Sequence, residues 1–314
     1  MLNITNGIKK RAVKLVIIGS EGIGKTTLAS KAPGALFVDT EGGSDQLDVR
    51  RISGIGTWEE LMAIPSEILK DPTICRTLVL DTADWSETLC ISYICSKFKV
   101  NGLESFGYGK GYTYLAEEFN SLLGELNKLI AAGINVIIIA HAKLRKQELP
   151  DEQGAFDRWE MKLSRQVAPL IKEWGDAVLF CNYKTSVIAT DASTHKATGG
   201  RRVIYTSHHP CWDAKNRFGL AEELPLDFAS IKDLFLYDSP EQGESPAGSL
   251  RKWLSDNQIR PEELQKVVES RGKAAAGTPI GNYQASLISD WILPNAEKIK
   301  ALVIKTRQSA ETKE

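Results

Sequence analysis

The chain has 314 residues, 42% of them hydrophobic and 25% charged, with a formal net charge of −1. That balance excludes polyanion binding through bulk charge and leaves only local basic patches for such a role. Five cysteines (Cys75, Cys90, Cys95, Cys181 and Cys211) have no paired spacing, which excludes a disulfide framework or a zinc knuckle. No apolar run reaches the ~18 residues of a membrane span, and the N-terminus has no signal-peptide core, so reduced cytoplasm is the expected compartment.

In chain order, residues 14–18 (K-L-V-I-I) form a short apolar strand that runs into G-S-E-G-I-G-K-T, residues 19–26. This octapeptide is a complete phosphate-binding loop. Its glycines let successive N–H groups curl inward onto phosphate oxygens, and the helix that follows offers its positive end. Gly19, Ser20, Glu21, Gly22, Ile23, Gly24, Lys25, Thr26 and Thr27 are the expected nucleotide contacts. Lys25 reaches the β- and γ-phosphates, and the Thr26 hydroxyl ligates Mg²⁺.

A second strand, residues 35–38 (A-L-F-V), leads into Asp39-Thr40-Glu41. A third, residues 77–80 (T-L-V-L), ends at Asp81. Residues 114–132 carry Leu115, Phe119, Leu122, Leu123, Leu126, Leu129 and Ile130 at helical spacing, and Gly133 ends that helix. Residues 135–140 (N-V-I-I-I-A) predict a buried strand ending at His141. Residues 177–183 and 202–206 predict further strands, as an antiparallel extension. This alternation predicts an α/β core with a mainly parallel sheet flanked by helices, over residues 1–237.

Residues 238–248 (D-S-P-E-Q-G-E-S-P-A-G) read as a linker. A small helical region follows over residues 249–306, with helices expected at 250–257, 261–270 and 290–305. Pro261 opens the second and Gly272 closes it. Trp253 and Trp291 suit its core, and residues 307–314 read as a frayed tail.

The strand ends carry the candidate chemistry, because ligands of open α/β sheets bind at the carboxyl ends of the strands. Asp81 is the expected second Mg²⁺ acid. Asp84, three residues on, is a weaker rival for that place and is read rather as a cap of the helix that follows. Glu41 is placed to orient or deprotonate an attacking water, and His141 to sense the γ-phosphate. His208, His209 and Cys211 lie too close together, without a remote second pair, for a zinc site.

The stretches G-S-E-G-I-G-K-T-T-L, L-F-V-D-T-E, T-L-V-L-D and V-I-I-I-A-H resemble the RecA-type ATPase core in order and spacing. F-V-D-T-E is similar to the RecA stretch whose glutamate activates water, which supports Glu41. F-G-Y-G-K-G-Y-T-Y (106–114), A-H-A-K (140–143) and H-P-C-W-D-A-K-N-R (209–217) look like phage and prophage ATP-binding proteins with a RecA-like core. Some of those act in single-strand annealing or recombination, and the likeness covers about residues 12–230. It implies ATP and Mg²⁺ as cofactors, homo-oligomers, and the bacterial host cytoplasm if the gene is phage-borne. Two features depart from RecA filament proteins. The loop begins at residue 19, so no N-terminal packing domain is expected ahead of it, and His141 stands where RecA has a glutamine.

The resemblance also implies two DNA-facing loops. The first, residues 97–112, interleaves Lys97, Lys99 and Lys110 with Phe98, Phe106, Tyr108 and Tyr112, a composition that suits a single strand. Phe106, Tyr108 and Lys110 are its expected contacts. The second, residues 143–162, has mixed charge, and Lys143, Arg145 and Lys146 are the expected phosphate contacts. Lys215 and Arg217 occupy the place of basic fingers that reach a neighbouring subunit's active site.

The leading expectation is a Mg²⁺-dependent ATP hydrolase acting on single-stranded DNA in phage recombination, annealing or replication. The alternative is an NTP-driven loader or regulator of a protein partner, such as a replicative helicase. A small-molecule kinase is disfavoured, since no arginine-rich lid is present.

Overall fold

The computed structural model describes residues 6–7, 11–148, 154–189, 195–235, 246–275, 277–280 and 283–311. Two compact units emerge, residues 1–237 and 238–314.

In the first unit, β1 (Lys14–Gly19), β2 (Ala35–Asp39), β3 (Arg50–Ile52), β4 (Thr77–Asp81) and β5 (Asn135–Glu148) alternate with helices. These are α1 (Lys25–Ala29), α2 (Trp58–Lys70), α3 (Ala83–Phe98) and α4 (Lys110–Ala131). There follow β6 (Ala155–Met161), α5 (Val167–Trp174), β7 (Ala177–Ala189), β8 (His195–Tyr205), β9 (Lys215–Asn216) and β10 (Glu223–Pro225). The sheet order is β10-β8-β7-β1-β5-β4-β2-β3. Strands from β7 to β3 pair in parallel, while β8, β9 and β10 add antiparallel pairs. This mostly parallel sheet flanked by helices, with an antiparallel extension, is the α/β architecture that the sequence predicts.

The apolar strand runs are buried on both faces, as a helix-covered parallel sheet requires. Successive side chains alternate between two cores. Val16, Ile18, Leu78, Leu80, Val136 and Ile138 pack against α2, α3, α4 and α5, where Trp58 and Phe119 are fully buried. Leu15, Ile17, Val79, Ile137 and Ile139 face α1 and the short turns that bear Ile231, Leu234 and Phe235. Deleting a ring such as Phe119 from this packing costs roughly 3–5 kcal/mol.

One topological fact positions the site. The chain leaves β1 and returns at β2 three places away, and β4 and then β5 fill the gap, so β5 lies between β1 and β4. The register pairs Gly19 with His141, Asp81 with Ile139, and Asp39 with Asp81. The ends of β1, β2 and β4, together with His141, therefore share one edge.

Three expectations need correction. The long helix begins at Lys110 rather than residue 114, because Gly109 takes a left-handed φ of 73° as its cap. Gly111 lies so close to Leu103 that a Cβ would meet its carbonyl at 2.4 Å. The second DNA loop is a hairpin: β5 continues through Glu148 and pairs antiparallel with β6. Its mixed charge forms a cross-strand ladder, with Lys143 opposite Glu160 and Lys146 opposite Asp157. The strands β7 and β8 are longer than expected, spanning residues 177–189 and 195–205.

The second unit contains α6 (Pro246–Asp256), α7 (Pro261–Ser270), short helical turns over residues 285–295, and α8 (Ala296–Glu311). Leu250, Leu254, Leu264, Val268, Ile292, Ile299 and Val303 form its core, with Trp253 and Trp291 packed on it. Residues 246–248 of the expected linker lie in α6, and 238–245 fall outside the described residues. Nor is Arg307 a tail residue. It lies in α8 and bonds Glu263 at 2.7 and 2.8 Å, which pushes that carboxyl down to about 2.

Candidate nucleotide-binding site

The loop between β1 and α1 turns on Gly22 (φ 71°) and Gly24 (φ 109°), conformations open to glycine but strained for other residues. Gly19 packs so tightly that a Cβ would meet the Cys181 carbonyl at 2.6 Å. Lys25 is 5% exposed, and its Nζ donates to the carbonyls of Gly19 (3.1 Å) and Ser20 (2.9 Å). Burial lowers its pKa against the opposing pull of Asp81, Asp84 and Glu41. The Thr26 hydroxyl donates to Asp81 Oδ2 at 2.8 Å. Asp81 is buried, and its pKa is raised to about 6, first by desolvation and then by the nearby Glu41 and Asp39.

Glu41 stands on the loop after β2, a third exposed, with Oε2 3.9 Å from His141 Nε2. Asp39 braces that loop by accepting from the Gly42 N–H (2.7 Å), the Ser44 N–H (3.1 Å) and the Ser44 hydroxyl (2.5 Å). Although burial pushes the Asp39 carboxyl up, these bonds hold it below the usual range. One cavity of ≈ 410 Å³ gathers Gly24, Lys25, Thr26, Glu41, Asp81 and His141. The sequence-predicted core of the site is thus brought together, and the Asp81–Thr82 peptide beside it is cis.

Asp84 is not a helix cap. Thr82 holds the cap position, and Asp84 reaches across to β5, where it accepts from the His141 N–H (3.1 Å) and meets Nδ1 at 2.9 Å. One turn later, Glu87 accepts from the Ser164 N–H at 3.0 and 3.1 Å, and burial raises its pKa. Glu87 escaped the sequence reading. The available signal was its three-residue spacing from Asp84, which puts both on one face of α3. Lys162 completes the root of the hairpin, through its N–H to the His141 carbonyl (2.8 Å) and its ammonium to Glu21 (3.3 Å).

The outlying expectations fare unevenly. Phe106 packs, half-buried, in a ring cluster with Phe98 and Tyr114 at centroid distances of 5.1–5.3 Å. Tyr108 is fully exposed at φ 47° between two left-handed glycines, and Lys110 beside it is exposed. Lys143 is tied to the Leu163 carbonyl at 3.2 Å, and Arg145 lies 3.7 Å from Glu160, while Lys146 stays exposed. Lys215 and Arg217 have partners within the chain itself. Lys215 Nζ caps α5 through the carbonyls of Lys172, Glu173 and Gly175 (3.1, 3.0 and 2.6 Å), and Arg217 lies 3.6 Å from Asp176. Both sit by the start of β7, at the sheet end opposite Gly19. His209 stacks on Trp212 at 4.1 Å, and His208 lies 3.6 Å from Asp213.

The raised pKa of Asp81 has a stability consequence. Between the ordinary 3.8 and about 6 the folded state binds the proton more tightly than the unfolded chain. Raising the pH through that window therefore costs the ligand-free protein up to about 3 kcal/mol. Asp81→Asn removes the buried charge and keeps an acceptor for Thr26. It is expected to stabilise the ligand-free protein by about 1–3 kcal/mol at pH 7.5 and by little at pH 4, while Mg²⁺-nucleotide binding is lost. Urea melts at the two pH values check this, and an unchanged pH dependence would remove Asp81 as its source.

A family model described as an AAA domain matches residues 11–218. The SPbeta prophage-derived uncharacterized protein YorG of Bacillus subtilis (strain 168) is 25% identical over 147 residues, 44% of this chain. That match spans 43% of the relative's own length. A solved structure, the KaiC-like protein PH0186 from Pyrococcus horikoshii OT3, aligns at 12% identity and a TM-score of 0.33. The alignment covers 62% of this chain and 79% of that one. The family match spans the phosphate loop, Glu41, Asp81 and His141, and the chain belongs to this AAA domain family of P-loop NTPases.

Proposed function

We propose that the protein is a Mg²⁺-dependent ATPase that acts, as a homo-oligomer, on single-stranded DNA in phage recombination, annealing or replication. One observation carries the reading: the strand that ends the nucleotide cleft at His141 continues unbroken into the β5–β6 hairpin. Events at the γ-phosphate thus have a direct mechanical route to an exposed arm. A cavity of ≈ 770 Å³ lies along that arm. Arg145, Lys146, Arg158, Arg165 and Lys172 line it, against Glu148, Glu160 and Asp213. Such a groove suits a phosphodiester backbone, and Tyr108 offers a stacking face worth roughly 1–3 kcal/mol per base. The prophage origin of the YorG relative fits a phage task.

Within the cleft, Lys25 would hold the β- and γ-phosphates. Asp81 and Thr26 fit a hard divalent cation, because a buried carboxylate crowded by other carboxylates lies beside a hydroxyl. Bound Mg²⁺ would supply charge neutralisation on the phosphate oxygens. Glu41 would orient the attacking water.

The protein-partnered alternative has its own support in the helical unit. A groove of ≈ 440 Å³ there has Val267, Leu302 and Val303 within a rim of Arg260, Lys266, Arg271 and Arg307.

Steady-state ATP hydrolysis without DNA, with single strands and with duplex, at two salt concentrations, decides between them. Several-fold stimulation by single strands that weakens with salt is expected, and a rate indifferent to DNA would transfer the reading to a protein partner. Lys146→Ala with Arg165→Ala should lower the salt slope of single-strand affinity by about 1.4, at roughly 0.7 per lost phosphate contact.

A further inference from the structure

Asp84 and His141 meet from elements 57 residues apart, and both side chains are 8% exposed. The carboxylate takes two bonds from this one residue, its main-chain N–H at Oδ1 and its ring at Oδ2. A carboxylate only accepts, so the ring nitrogen facing it must carry the hydrogen. That fixes both the ring orientation and the tautomer, as the partner of one imidazole nitrogen decides what the other can do. The free edge is Nε2, which faces Glu41 Oε2 across 3.9 Å in the cleft shared with Lys25, Thr26 and Asp81.

That separation is informative. It is too long for a direct hydrogen bond, yet close to the span between two acceptors of a single water, each at about 2.8 Å. We propose that Glu41 Oε2 and His141 Nε2 together cradle the attacking water, and that Asp84 is the positioning residue that turns His141 into an acceptor. A water donating to both keeps an oxygen lone pair free for the γ-phosphorus. A neutral ring held this way cannot donate from Nε2 to a phosphate oxygen, so His141 serves the water rather than the γ-phosphate. Glu87 reinforces the arrangement from the next turn of α3, by holding Ser164 just beyond the hairpin root. The proposal rests on the hydrolysis reading above, and its test separates the two.

Asp84→Asn keeps the shape and reverses the instruction. One amide oxygen cannot serve both His141 donors, so with the oxygen on the main-chain N–H the NH₂ group faces Nδ1 and selects the Nε2–H tautomer. Nitrogen-15 NMR of the imidazole, assigned by the signal missing in His141→Gln, reads this without turnover. The wild type is expected to show Nδ1–H with a bare Nε2, and Asp84→Asn the reverse. An Nε2–H ring or an imidazolium in the wild type at assay pH overturns the proposal. In kinetics, Asp84→Asn should lower kcat by about 10–100-fold with KM for ATP nearly unchanged. It should cause little further loss in a His141→Ala background, since a residue acting through another is non-additive with it. Additive losses, or unchanged kcat in Asp84→Asn, also overturn it. A wild type that hydrolyses no ATP sinks the hydrolysis reading instead, and leaves the tautomer still measurable.

Discussion

Glu41→Gln is expected to leave ATP bound and to lower its turnover by about 10²–10⁴-fold, the range that a positioned base contributes. The substitution is isosteric and sits on a loop held by Asp39 rather than by Glu41 itself, so stability should change by less than about 0.5 kcal/mol. Binding should not weaken. Glu41 is one of the charges that raise the pKa of Asp81, so its neutralisation leaves Asp81 more readily ionised and a better partner for Mg²⁺. The variant is therefore an ATP trap: fluorescent-nucleotide titration gives wild-type or tighter affinity, while phosphate release falls to background. Normal phosphate release in Glu41→Gln would remove Glu41 from its role.

The chemistry was legible where it depends on strand ends. An apolar strand that stops at a polar residue declares which residue reaches the cleft edge of a parallel sheet, and Asp81 and His141 follow that logic, with Glu41 two residues past the end of β2. What the chain does not declare is which strand lies beside which. Asp84 opens a helix, where an acid has a ready local role as a cap. Its bonds to His141 exist only because β5 enters between β1 and β4. The hairpin was hidden for a related reason. Its charges cancel along the sequence, and only pairing across two strands shows Lys143 against Glu160 and Lys146 against Asp157. Lys215 and Phe106 show the opposite limit. Each has the right residue type at a suggestive place, but the carbonyls at the end of α5 and the rings of Phe98 and Tyr114 claim them first.

Lys25→Met should abolish measurable nucleotide binding, and with it the rise in Tm that Mg²⁺-ATP gives the wild type. Charge-assisted bonds to phosphate are worth about 1.5–3 kcal/mol each, so losing two weakens affinity by about 10²–10⁴-fold. An unchanged ligand-induced Tm shift would mean that the phosphates bind elsewhere. The ligand-free protein should feel the change too, through Asp81. Lys25 is a cation that draws the Asp81 pKa down, against burial and the neighbouring carboxylates. Without it that pKa rises above about 6, and the stability lost on raising the pH to 7.5 grows. Asp81→Asn added to Lys25→Met should recover that loss, because no buried carboxylate is then left to ionise. The double variant would bind no nucleotide yet melt at higher temperature than Lys25→Met alone. In this cleft Asp81, the acid placed for the cation, is therefore the group that holds the ligand-free fold below its attainable stability, and Lys25 offsets part of that cost.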